Sequence, residues 1–314
     1  MWLFLARRLL LALAIVLVAM TVLFVAIHLV PGDPASVALG PRATPEMREE
    51  FRTRMGLDLP IPVQLARFAG NVLRGDLGRD LWSNQSVAAL VWRQLPHTAL
   101  LTAVGIGWAI GLGIPLGCLA AARRGSWIDR VTAVLSVSAI ALPSFIVAVY
   151  ALLVFAVWLK WFPAIGAGRA GDPLDQLWHL VLPSFAIGVG WVGFLARLVR
   201  ASMLEVLGEP HVRAARALGL PERRIVYRYA LRLAILPTVA LLGVGIGRLL
   251  SGAVFAEIVF ARPGLGRLVY DGVVGRNYPV VMGTVVVTTA LFVLSTLVAD
   301  LLVAVLDPRV RERL

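Results

Sequence analysis

Runs of about 20 apolar residues leave this chain few ways to fold. They cover roughly 9–30, 99–122, 131–159, 180–198, 235–259 and 280–305, and each can cross a hydrocarbon core about 30 Å thick as an α-helix. The expected fold is therefore an all-α integral membrane protein with six transmembrane helices. Composition points the same way: with 59% hydrophobic and 15% charged residues and a mean hydropathy of +0.85, too little polar surface exists to cover a soluble globule. Arg7 and Arg8 precede the first run, as charges precede a secretory signal. That run is too long for a signal's apolar region and no small-x-small cleavage site closes it, so it reads as a retained span.

The short loops set the orientation. Arg7 and Arg8, then Arg123, Arg124 and Arg130, then the 203–237 segment, then Arg309, Arg311 and Arg313 all fall on one side. The positive-inside rule makes that side cytoplasmic and places both termini there. Residues 31–97 form a long outer segment of mixed charge. Within it Thr44 and Pro45 resemble a helix start, and Ile61, Leu65, Phe68 and Val72 keep a helical spacing, so short amphipathic helices are expected on the outer face. The chain divides at about residue 98. Residues 1–98 hold the first span and the outer segment, and 99–314 hold a core of five spans with the 203–237 loop.

That loop, MLEVLGEPHVRAARALGLPERRIVYRYALRLAILP, reads as helix, tight turn, helix. Pro210 stands at a tolerated early position and is followed by the small residues Ala214, Ala215 and Ala217. Gly219 suits a left-handed C-terminal cap, and Pro221 with Glu222 opens a second helix. In that second helix Ile225, Tyr229 and Leu233 recur as an apolar stripe beside a basic one of Arg224, Arg228 and Arg232. One stripe is expected to face protein while the other stays wet.

Several chemistries are excluded. The net charge of +12 is spread along the loops with no nucleic-acid recognition pattern, so orientation and lipid contact explain it. A lone cysteine, Cys118, permits no internal disulfide or cysteine metal cluster. His28, His97, His179 and His211 have no metal-ligand spacing. Lys160 is the only lysine and follows no glycine-rich turn, so ATP hydrolysis by this chain is excluded. Gly188, Gly190 and Gly193 fit GxGxxG but lie inside a span, where close helix packing is the expected reading, as it is for Gly243, Gly245 and Gly247. No HExxH or GxSxG string marks a hydrolase. Within the membrane, Pro143 is expected to bend the third span, lining a pathway or easing packing. Arg248 falls about 20 Å into the fifth span. A charge there faces a wet cavity or an acid. A carboxylate of a passing solute and an acid of a neighbouring helix or subunit are both candidate partners. Glu257, nine residues on, points to the opposite side of the helix.

The 203–237 loop resembles the EAA loop of ABC-importer permeases through Arg213, Ala214, Ala215, Gly219, Leu236 and Pro237, with Arg213 matching the RTARAKG form of the peptide-importer branch. HLVPGDP from 28, MGLDLPIPVQ from 55, GDLG from 75, SMLEVLGE, RPGLGRL, NYPVV and DLLVAVLDPRVR follow in order and are similar to dipeptide and oligopeptide permeases. The resemblance implies a type I importer permease of the bacterial inner membrane that binds no cofactor. Paired with a second, similar permease, it would enclose the path for peptides or a related small solute. Two cytoplasmic ATPase subunits, using ATP and Mg, would dock on Arg213, Ala214, Ala215, Ala217, Leu218, Gly219, Leu236 and Pro237, and an external binding protein would deliver the solute. A self-contained secondary transporter or channel is the rival. The scarcity of intramembrane acids and the lack of an obvious inverted repeat speak against it.

Overall fold

The computed structural model describes residues 2–29, 43–55 and 58–306. Most of the HLVPGDP string, Gly56 and Leu57, and Arg309, Arg311 and Arg313 lie outside the described residues. All regular elements among the described residues are helices, apart from an isolated bridge between Arg79 and Ser86. In chain order they are α1 (Trp2–Leu29), α2 (Pro45–Met55), α3 (Ile61–Leu73), α4 (Val87–Ala122), α5 (Trp127–Ala141) and α6 (Ser144–Trp158). They continue as α7 (Pro173–Leu207), α8 (Pro210–Ala217), α9 (Glu222–Ala234), α10 (Leu236–Val259), α11 (Leu265–Val274) and α12 (Tyr278–Leu306). Among the described residues 4 helices can by length and composition cross a membrane alone, and up to 6 spans result if each of two bent pairs counts as one.

The described chain separates into two compact units. The first is built from 99–262 and the end of α12, and its centre is α7, against which α4, α5, α6 and α10 pack. Glycine makes this packing close. A Cβ on Gly117 would stand 2.6 Å from the Ala196 carbonyl, and one on Gly193 would stand 2.6 Å from that of Ser136. No real side chain tolerates such approaches, so the 188–193 glycines serve helix packing, as expected from the sequence. Leu101, Leu180, Ile187, Leu249, Ala253 and Ala256 form one buried cluster of this unit.

The third span is two helices rather than one bent helix. Proline disfavours helical geometry in the residue before it, and Leu142 is extended at φ −84°, ψ 120°. Pro143 then stands as the N-cap of α6, and α5 and α6 meet at 100°. In α4, Pro115 lacks an N–H, and the helix absorbs it with a π-turn at Ala109–Gly113. At the start of α5 the Ser126 hydroxyl accepts the Asp129 N–H at 3.3 Å, and the nearly buried Asp129 carboxylate accepts from Gly125 N–H at 3.0 Å and Arg200 Nη2 at 2.8 Å. A buried carboxylate needs such partners, and this pair ties α5 to α7.

The second unit comprises 6–98 and 263–293. Leu77, Val87, Val91, Leu265 and Val280 form its core, with Val72 from α3 packed against them. The Leu265 N–H donates to Thr98 Oγ1 at 2.8 Å, joining the first turn of α11 to α4. Before α4 a short loop closes on itself: Asp80 N–H donates to the Gln85 carbonyl at 2.9 Å and Val87 N–H to that of Gly78 at 3.0 Å.

Candidate functional site

Two features of the first unit carry chemistry. One is the α8–α9 turn in the arginine-rich loop. Glu209 is the N-cap of α8 and Pro210 opens it. At the other end Gly219 takes φ +73°, which only a residue without a Cβ adopts cheaply. The Gly219 N–H then donates to the Arg216 carbonyl at 2.9 Å and the Leu220 N–H to that of Ala215 at 3.2 Å. These two bonds are the Schellman closure of a helix. Outside the turn Arg216 meets Glu222 through two hydrogen bonds, at 2.7 and 3.2 Å.

The expected docking residues do not share one face. Arg213, Ala214, Ala217, Leu218 and Gly219 are exposed, Leu218 by 81%. Ala215 is buried and packs with Val212 and Ile225, beneath Leu220. Leu236 is half-buried and Pro237 exposed in the first turn of α10, where the chain bends by 44° from α9. Beside the turn, Pro221, Arg223, Arg224, Tyr227 and Arg228 line a basic cleft of about 560 Å³.

The stripe expected in α9 is corrected. Ile225 is buried, but Tyr229 is 40% and Leu233 47% exposed; Val226, Ala230 and Ala234 are the residues that pack inward. Ile225 packs instead with Val212 and Ala215 of α8, and the inward row keeps the four-residue spacing one position further on, through a stretch that is π-helical at Ile225–Ala230.

The second feature is a cavity of about 220 Å³ at the α5–α6 break. Leu142 and Ser144 line it on either side of Pro143, with Trp191 and Phe194 from α7 and Arg248 and Gly252 from α10. Pro143 makes the break without itself lining the space. Gly245, Arg248 and Gly252 lie at three- and four-residue spacing and so on one face of α10. A Cβ on Gly245 would stand 2.9 Å from the Trp191 ring, so glycine there admits the indole. Arg248 itself is exposed, and no acid among the described residues pairs with it. Glu257 is buried on α10 close to Arg262, whose N–H donates to the Glu257 carbonyl at 2.8 Å.

Sequence reasoning missed Trp191, Phe194 and Ser144 as cavity residues. Trp191 and Phe194 were legible only as two aromatics one turn apart on a span, which is common in packed helices. It also missed Arg262, whose arginine opens the RPGLGRL string but is fully buried.

With these features in place, comparison with known proteins is direct. Residues 113–312 match the family described as binding-protein-dependent transport system inner membrane component, and residues 1–102 match its N-terminal companion. The chain belongs to this family of ABC-importer permeases. It is 36% identical over 307 residues to the glutathione transport system permease protein GsiC of Pectobacterium atrosepticum, covering 98% of each chain. It is 38% identical over 311 residues to a peptide permease protein of Brucella suis, covering 97% of this chain and 98% of that one. Among solved structures it is similar to a chain of the MetNI methionine ABC transporter in an inward-facing conformation, at 22% identity and a TM-score of 0.56. That similarity covers 69% of this chain and 96% of the other. The fold is thus that of a type I importer permease, and the chain is a multi-pass inner-membrane transport subunit rather than an enzyme. The self-contained secondary transporter finds no support in these relatives.

Proposed function

We propose that this chain is one of two permease subunits of an ATP-driven importer for peptides or a peptide-like solute such as glutathione. A second, similar permease would complete the path, two cytoplasmic ATPase subunits would hydrolyse ATP with Mg, and an external binding protein would deliver the solute. The solute class rests on the relatives named for glutathione and peptide transport. The coupling role rests on one observation above all: α8 and the turn that closes it hold Arg213, Ala214, Ala217, Leu218 and Gly219 outward.

An exposed leucine flanked by alanines and a glycine offers a small apolar knob with low walls, which a partner cleft can enclose closely. Ala215 anchors the same helix from beneath. Closure of the ATPase pair on ATP would draw this helix inward and shift the spans between inward-open and outward-open states, because nucleotide binds the closed arrangement better. Leu236 and Pro237 sit at the joint between α9 and α10, where such a movement would enter the membrane.

The test is Leu218→Asp. Since Leu218 is 81% exposed, the substitution should leave insertion and expression intact while ATP-driven uptake falls at least about tenfold, equivalent to about 1.4 kcal/mol, and ATPase subunits are lost on purification. Full uptake with a charge at that position would remove α8 from the coupling surface.

A further inference from the structure

The cavity at the α5–α6 break combines features that together define an anion subsite. Arg248 carries a fixed positive charge and lacks an acidic partner among the described residues of this chain. A charge held within a span is costly unless it lines a wet cavity or pairs with an opposite charge. Ser144, the first residue of α6, lines the same cavity, and its N–H precedes the first hydrogen-bonded turn and has no acceptor within its own helix, as at any helix start. The positive end of the helix dipole lies there too. A Cβ on Gly252 would stand 3.5 Å from Ser144 Oγ, so the start of α6 approaches α10 one turn from Arg248. Trp191 and Phe194, edge-to-face at 5.1 Å, supply an apolar wall. Helix starts exposed by a break within a membrane span are where membrane transporters bind anionic groups of their cargo.

We infer that this cavity receives a carboxylate of the transported solute, and that Arg248 is its principal ligand, with Ser144 and the first turn of α6 completing the site. The inference rests on the importer reading and refines its solute class to molecules with a free carboxylate, which peptides and glutathione both carry. The volume of about 220 Å³ is below the roughly 300 Å³ at which sites for whole drug-sized ligands begin, so it accommodates one end of a solute. A guanidinium suits that end because its planar fork matches a carboxylate with two parallel hydrogen bonds.

The test uses the complete importer with its binding protein in proteoliposomes. A mixture of tripeptides is supplied, each as free acid and as C-terminal amide, and the ATP-dependent contents of the lumen are measured by mass spectrometry. Arg248→Gln should lower uptake of the free acids about tenfold more than that of the amides, collapsing the acid-to-amide ratio; Arg248→Lys should retain part of it. An unchanged ratio, whether both forms fall together or neither moves, overturns the inference. A joint fall with loss of the second permease on purification would assign Arg248 to an acid of that subunit. If the wild-type importer accumulates no peptide, the peptide reading has failed separately. The site is then read on the purified assembly by saturation-transfer NMR with acetate. An acetate signal that is present in the wild type and disappears in Arg248→Gln sustains the site; a signal equal in the two proteins, or absent from the wild type, overturns it.

Discussion

At the scale of single residues, the clearest energetic commitments are made by carboxylates. Asp80 sits in the loop before α4, where burial alone would raise its carboxyl. The Ser83 hydroxyl, the Trp82 N–H at 3.0 Å and the Asn277 amide all donate to it and outweigh that effect, holding it below the ordinary value of 3.8. A carboxyl whose folded pKa is depressed contributes stability above the unfolded value and loses it as pH falls through the folded one. Backbone amides of residues 78–86 should therefore exchange faster in the wild type as pH drops below about 4, relative to an Asp80→Asn variant in the same buffers. Parallel exchange of the two proteins across that range would show that Asp80 does not hold the loop. Asn277 belongs to the NYPVV string, yet its partner lies 197 positions away, and no periodicity or composition could have joined the two.

At the scale of elements, what periodicity could reveal was determined by local chemistry. The α8 turn was legible because Pro210 and Pro221 each fix a backbone φ and Gly219 tolerates the left-handed cap that other residues resist, and the packing glycines of α7 were legible because a membrane span offers them little other use. The inward face of α9 was not. Two adjacent rows share the four-residue spacing, Ile225, Tyr229, Leu233 and Val226, Ala230, Ala234, and spacing alone does not say which of them turns inward. Likewise Pro143 signalled a bend, but the 100° angle depends on what α6 packs against after the break. The inward row has a direct consequence. Ala230 is fully buried against the cluster of Cys118, Ala121, Val199 and Met203, so Ala230→Leu should cost about 1–3 kcal/mol through overpacking. Tyr229→Ala, at an exposed position, should cost under about 0.5 kcal/mol. Thermal unfolding of the two variants in one detergent decides this, and the reverse order would restore the α-helical stripe through Tyr229.

At the scale of the whole molecule, much apolar surface remains uncovered by the chain itself. Only 11% of the apolar window in α1 is buried, and Trp127, Val134, Leu135 and Tyr150 on α5 and α6 are more than half exposed. Lipid covers such faces in a bilayer, and the second permease proposed above would cover others. Recognition of the chain as an importer subunit came from the resemblance of short strings in order, which one sequence can display. The proposed assembly is not written in one sequence, since the residues that would complete it belong to other chains. The broken-helix cavity was half legible: Arg248 and Pro143 stood out individually, but only the fold brings the start of α6 and the face of α10 together. The central claim is that this chain works as the membrane half of an ATP-driven machine. The most direct measurement is gentle purification of a tagged chain from its native membrane, with mass spectrometry of the co-purifying proteins and an assay of ATP hydrolysis. Recovery of a second permease and ATPase subunits, with vanadate-sensitive hydrolysis, is the predicted result; an intact, solitary chain that is reproducibly silent toward ATP would contradict it.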